Sequence, residues 1–339
     1  MSGTLVGQEN EQQSFNFTIG TAKTANDTTL AVTYMTQDAE VTIAAPFIST
    51  TLSVNGNALT NNTITPGSSE SVTVSYTNTL STSVQNAEVD VAISGSAVDY
   101  NSIKTSSGFY RSTDHTIVFS RDTDPSLANL APGASGTGVF TFSTLAPGSA
   151  PPSSAVTFTV TASGTNSGQT NTQEQTTSTT ETVNVATTVA LSASAVHSSG
   201  SFSNSGPIPP QAGQATTYTI VLNARNEGSA IAGGTVSTIL PSYVSYTGIA
   251  NSGFSYDSGS RVVTWNIGDM AQNTNTQGSF QVSLTPSTSQ KGSVPALTGQ
   301  VSFSGYDRFA GVQISATADP ATTETTQDPG YTSSNATVQ

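Results

Sequence analysis

The chain has 339 residues and no cysteine, which at about 100 to 150 residues per domain allows two or three domains, none stapled by a disulfide. Only 9% of its residues are charged and about a third are Ser or Thr, so its surface is built from hydroxyls and amides more than from ions. Eight Lys plus Arg stand against 21 Asp plus Glu, for a net charge of −13; with so few cations to neutralise a phosphate backbone, nucleic acid is excluded as a partner.

Met1 is followed by Ser2-Gly3-Thr4, with neither the basic segment nor the apolar core of a signal peptide, so a targeting signal and an anchor are expected outside this sequence. The longest apolar candidate for a membrane span, residues 44–48, has five residues where about 18 are needed, and no membrane insertion of this segment is expected. Helix-favouring windows are nearly absent. Apolar and polar residues instead alternate strictly at 14–19, 71–76, 88–93, 157–160, 217–222 and 279–284, the period of strands with one face in a core and the other in solvent. Two such sheets packed core to core make a sandwich. The fold class read from the sequence is therefore all-β: tandem antiparallel immunoglobulin-like β-sandwiches with almost no helix.

Internal repeats divide the chain. Gly108-Phe109-Tyr110 followed by Thr116 to Phe119 is answered by Gly253-Phe254-Ser255-Tyr256 followed by Val262 to Trp265, with 145 residues between the glycines and 146 between Phe119 and Trp265. Val72 and Val74 are answered by Ile220 and Leu222, and Phe140 and Phe142 by Phe280 and Val282. Residues 47–186 and 187–339 read as two copies of one domain. Phe15-Asn16-Phe17 matches Phe140-Thr141-Phe142, which makes residues 1–46 the C-terminal half of a further sandwich domain, truncated here; the rival reading is a short strand lent to the next domain. The polar run 164–182 is expected to be a long exposed loop or an edge.

Residues 214–284 resemble the conserved immunoglobulin-like repeat, of unknown function, of prokaryotic cell-surface proteins. The residues that carry the resemblance are Asn226-Glu227-Gly228, Leu240-Pro241, Tyr256-Asp257, the run Val263-Thr264-Trp265-Asn266-Ile267-Gly268-Asp269-Met270, and Phe280-Gln281-Val282. The middle domain keeps Leu130-Ala131-Pro132-Gly133 and puts Phe119 at the Trp position. The resemblance implies a fold and an extracellular, cell-surface location, with neighbouring domains of a longer chain as partners and no activity attached.

The chemistry-bearing residues converge on no catalytic, cofactor-binding or metal site. His115 and His197 stand apart from second ligands. Asp122 and Asp124, near Asp114 and Asn129, could offer oxygens to Ca²⁺, but Arg111 and Arg121 lie alongside, and a solvated loop is the plainer reading. Lys23, Lys104 and Lys291, the only lysines, could form internal isopeptide links only from a buried register. The pairs Phe109/Tyr110 and Phe254/Tyr256 and the cluster from Tyr306 to Phe309 could offer apolar faces to a glycan, but a shared core or corner is the simpler explanation. Trp265 is expected in the core, and Gly133 and Gly259 at turns that need positive φ. Sequons at Asn16, Asn26, Asn61 and Asn335 are expected by chance in so Thr-rich a chain. The function expected is that of a noncatalytic spacer or interaction module of a larger prokaryotic cell-surface protein. The alternative is an adhesin module binding glycan or a partner protein.

Overall fold

A computed structural model describes residues 12–24, 29–42, 46–59, 62–168 and 174–339. The described residues form 23 strands and three short 3-10 turns. Contacts divide the chain into two compact units: the first takes the strands up to residue 183, except that 63–68 and 144–155 belong with 184–339 in the second.

The chain opens with a hairpin of β1 (Gln12–Ala22) and β2 (Leu30–Thr42). Its register puts Phe15, Phe17, Ile19 and Met35 on one face and Asn16, Thr18, Asp38 and Glu40 on the other. The apolar face is bare, with Phe17, Ile19 and Met35 more than half exposed.

The first sandwich comprises β3 (Ile48–Val54), β4 (Asn57–Ala58), β5 (Thr63–Ile64), β6 (Ser69–Asn78), β7 (Val84–Ser94), β8 (Val98–Thr105), β9 (Phe109–Arg111), β10 (Thr116–Phe119), β11 (Asn129–Leu130), β12 (Ser135–Thr144), β13 (Ala155–Asn166) and β14 (Glu174–Val185). One sheet runs β4-β3-β6-β12-β8 and the other β5-β14-β13-β7-β10-β9, with β11 on β7. Alternation fixes which face is inside: β6 buries Val72, Val74 and Tyr76, and β12 buries Phe140 and Phe142. Across the sandwich, Phe158 of β13 meets both phenylalanines at ring-centroid distances of 6.4 and 5.8 Å. The outward face of the β3-β6-β12 sheet is a grid of hydroxyls. Ser49, Thr77 and Ser135 share one row, Thr51, Ser75 and Thr137 the next, and Ser53 and Thr73 a third with Val139.

The second sandwich comprises β15 (Val189–Val196), β16 (Thr216–Asn226), β17 (Ile231–Ile239), β18 (Val244–Ala250), β19 (Phe254–Asp257), β20 (Val262–Met270), β21 (Asn275–Leu284), β22 (Val301–Asp307) and β23 (Val312–Ala318). Its sheets run β15-β16-β21-β18 and β19-β20-β17-β22-β23. These orders match β3-β6-β12-β8 and β9-β10-β7-β13-β14 of the first sandwich strand for strand, so the two share one immunoglobulin-like topology. Tyr218, Ile220, Leu222 and Phe280 from one sheet enclose a single core with Val236, Trp265 and Phe303 from the other.

Two sequence expectations change and one is narrowed. Phe15 to Phe17 do not correspond to Phe140 to Phe142, because β12 and β13 lie in different sheets whereas β1 and β2 pair directly; the opening hairpin has the form of β13–β14 instead. In the polar run 164–182, residues 164–166 and 174–182 are strand and Ser167 and Gly168 a turn, so of the two readings the edge holds for β14: Thr157, Thr159 and Thr161 of β13 meet its Thr182, Thr180 and Ser178 hydroxyl to hydroxyl at 3.2 to 3.4 Å. Period-2 hydroxyls suffice for an outer strand, since Gln175, Thr177 and Val183 fill its inner face. Gly133 does adopt positive φ, but Gly259 does not; that conformation falls on Arg261, φ 61°. The Asp257 side chain accepts from the Gly259 N–H at 3.0 Å and from the Ser260 hydroxyl, which holds the first half of the turn in an ordinary conformation and leaves the reversal to its last residue.

Candidate functional site

The motif residues of the second sandwich hold the fold together. Trp265 is 5% exposed, stacked on Phe254 at 5.5 Å with the planes 1° apart. Gly278 of the opposite sheet makes room for the indole: a Cβ there would lie 2.6 Å from Cε2. Phe119 occupies the same place in the first sandwich over Gly138, whose Cβ would lie 2.5 Å from its ring. Arg261 reaches back to the carbonyl of Leu240 at 3.0 Å and also to those of Pro241 and Val244, which explains why a Leu-Pro corner accompanies this turn. Asn226 is fully buried. Its amide donates to the carbonyls of Ser229 and Ala271 at 2.7 and 2.8 Å, and its oxygen accepts from the Gly228 N–H.

Sequence reasoning missed the partner of Asn226 in the first sandwich. Asn78, also buried, donates to the carbonyls of Thr82, Leu130 and Ala131 and accepts from the Leu80 N–H. The signal was an Asn closing each equivalent strand, hidden because Asn78 lacks the following Gly. A second pair closes β13 and β22. The Asn166 oxygen accepts from Thr82 Oγ1 and the Gly168 N–H, and the buried Asp307 carboxylate accepts from the N–H groups of Thr187, Phe309 and Ala310 at 2.6 to 3.0 Å.

The sequence candidates mostly disperse. In the cluster at Tyr306 to Phe309, Asp307 is spent on this tie, Arg308 pairs with Asp269, and the half-exposed Tyr306 stands opposite Gln313 of β23. His197 gives its Nδ1 hydrogen to the Thr217 carbonyl at 2.9 Å. His115 stacks on Tyr100 at 3.7 Å and meets the Tyr110 hydroxyl at 3.0 Å.

Asp124 caps a 3-10 turn through the Ser126 N–H and accepts from Tyr76 Oη. The Ser126 contacts hold its carboxyl below the usual range, while burial and then Asp124 push Tyr76 up to about 12. Asp122 points instead to an open hollow of about 380 Å³ lined also by Glu88, Arg121, Ser163 and Glu174. Among the described residues no group of three or more His, Asp or Glu is placed to hold a metal ion. Lys23, Lys104 and Lys291 are all exposed, which removes the buried lysine an isopeptide link requires. Asn26 and Asn61 lie outside the described residues; Asn16 donates to Asp38.

The two aromatic pairs are not equivalent, because the repeat is offset by 146 residues on β9 as well. Phe119 and Trp265 mark the register: Phe109 pairs with Val118, the residue before Phe119, whereas Phe254 pairs with Trp265 itself. Tyr110 therefore matches Tyr256, Gly108 matches Phe254, and Phe109 matches the outward Ser255. Phe254 packs on Trp265 and Phe280, while Phe109 is 61% exposed. Beside it, Arg111 clamps Asp114 through two contacts near 3 Å and reaches Asp90 at 3.4 Å. Burial raises the Asp90 carboxyl against the lowering effect of Arg111.

No protein-family model and no curated protein matches the sequence, so the resemblance of residues 214–284 rests on its motif residues alone. Among solved structures, the C-terminal domain of the Streptococcus pyogenes antigen I/II-family protein AspA aligns with 9% identity and a TM-score of 0.32, over 80% of this chain and 99% of that one. The C-terminal domain of the Streptococcus agalactiae AgI/II polypeptide BspA aligns with 9% identity and a TM-score of 0.28, over 81% and 100%. No described helix is long and apolar enough to cross a membrane.

Proposed function

We propose that this chain is a noncatalytic extracellular module, a spacer and interaction segment of a larger prokaryotic cell-surface protein, with residues 47–186 and 187–339 as two copies of its repeating domain and residues 1–46 as part of another. The observation that carries this reading is what the motif residues are used for. In both copies the buried Asn, the aromatic over its glycine and the closing Asn or Asp are consumed in ties between strands and turns. A unit repeated with only its structural residues kept is selected as a scaffold. The bare apolar face of β1–β2 supports its assignment to a separate domain, since the corresponding inward face of β13 is covered by Phe140 and Phe142. The Ser- and Thr-rich surface and the net charge of −13 suit a solvent-facing position that repels anionic polymers.

Limited protease treatment of intact producing cells, followed by mass spectrometry, tests the location. Peptides from both sandwiches should be released without lysis. Recovery of the protein only after lysis, in the soluble fraction, would refute the reading.

A further inference from the structure

The duplication shows what the fold requires on the outward face of one sheet, and the first sandwich departs from it at three adjoining positions. In the second sandwich one row across this sheet reads Ser255, Thr264, Ser237, Ser302, Thr317, all hydroxyls. The equivalent row of the first sandwich reads Phe109, Val118, Asp90, Thr161, with Ser178 touching Thr161 at 3.4 Å. An aromatic, an aliphatic and a carboxylate have replaced three hydroxyls side by side. None of the three is needed to close the core, because the second copy closes its core without them.

We propose that this row binds a neutral polysaccharide laid across the sheet. Phe109, 61% exposed, and Val118 offer an apolar surface for the C–H face of a pyranose ring. Asp90 and the hydroxyls of Thr161 and Ser178 then meet the hydroxyls of the following sugars. The Asp90 side chain is 26% exposed and is positioned by Arg111, 3.4 Å from its Oδ2; Oδ1 is buried, so Oδ2 is the oxygen that accepts from a sugar hydroxyl, with lone-pair capacity beyond the Arg111 contact. Five strands about 4.8 Å apart span about 19 Å, room for several sugars and open at both ends, as a polymer needs. Charge selects among polymers: Asp90, Asp114 and Glu88 outnumber Arg111 around the row, so an anionic polysaccharide is repelled. This goes beyond the spacer reading, which stands whether or not the row binds sugar.

Affinity electrophoresis of the intact chain through gels containing glucomannan, hydroxyethyl cellulose or dextran, with alginate as the anionic contrast, provides the test. At least one neutral polymer should retard the wild type, and alginate should not. Phe109→Ser and Val118→Thr together, which rewrite the row toward the second sandwich, should weaken binding at least tenfold; Phe109→Trp should preserve it, and Ser255→Ala should change nothing. Phe109 is exposed, so folding of its variants is expected and is checked by circular dichroism. Absence of retardation in all three neutral gels, retardation unchanged in the double variant, or a preference for alginate would each overturn the proposal.

Discussion

Gly278→Ala isolates the fit of Trp265 against the facing sheet. The backbone at Gly278 does not have positive φ, so alanine is permitted there and the cost comes from contact. The new methyl would sit 2.6 and 2.7 Å from Cε2 and Cζ2 of Trp265 and 2.9 Å from Cε2 of Phe254. Those two rings are stacked on each other, so neither moves without displacing the other. Overpacking of this kind costs about 1 to 3 kcal/mol, and the stacked pair places it toward the upper end. Restricting the unfolded chain returns about 0.4 to 1 kcal/mol, leaving a net loss of about 2 kcal/mol. Hydrogen exchange at the β16 and β21 amides reports on the second sandwich in every variant, including those that lack Trp265, the only tryptophan. The double variant Gly278→Ala with Trp265→Phe should recover part of the loss, because the smaller ring vacates the contested space. Strict additivity of the two substitutions would refute the claim that the glycine exists to seat the ring.

Asn226→Ala should destabilise the second sandwich by about 1 to 3 kcal/mol, since two carbonyls lose their donor in a buried place; a change below about 0.5 kcal/mol in urea denaturation would contradict the tie. Asp328 accepts from the N–H groups of His197, Ser198 and Ser199 and from the Ser199 hydroxyl, and although burial raises its pKa, these donors outweigh it and the net shift is downward. A depressed pKa means stability is present above the unfolded value of about 3.9 and lost as pH falls through the lower folded value. Amide exchange at Ser198 and Ser199 should therefore accelerate relative to the core below about pH 4, and Asp328→Asn should remove that dependence. The β1–β2 amides should exchange before those of either sandwich and proteases should cut there first; protection of Phe15 to Val41 equal to that of β6 would show instead that this hairpin is covered.

The alternation of small polar and apolar residues made the strands legible, because a half-buried sheet leaves little freedom in which positions are apolar. Trp265 and Phe119 were legible as equivalents for the same reason. What alternation cannot reveal is a one-residue change of register in a short strand. Gly108 looked like the glycine before Phe254, when it stands in the place of Phe254 and leaves Phe109 outside. Nor does sequence order say which consecutive strands pair: Phe15 to Phe17 and Phe140 to Phe142 share a pattern, yet one is followed by a hairpin and the other by a crossing to the opposite sheet. The buried Asn78 escaped notice because its value lies in carbonyls about 50 residues away, at Leu130 and Ala131.

The hydroxyl grid on β3, β6 and β12 has a bearing on the environment in which such a surface keeps working. Attraction and repulsion between charged surfaces change with the Debye length, which shrinks from about 30 Å at 0.01 M salt to about 3 Å at 1 M. A face that carries Ser and Thr in row after row with no ion among them has almost nothing for salt to screen or for acid to titrate. Its hydration, and therefore its reluctance to adhere to other proteins, should stay the same from fresh water to brine. Trypsin, which cuts only at Lys and Arg, finds no cleavage point on those three strands.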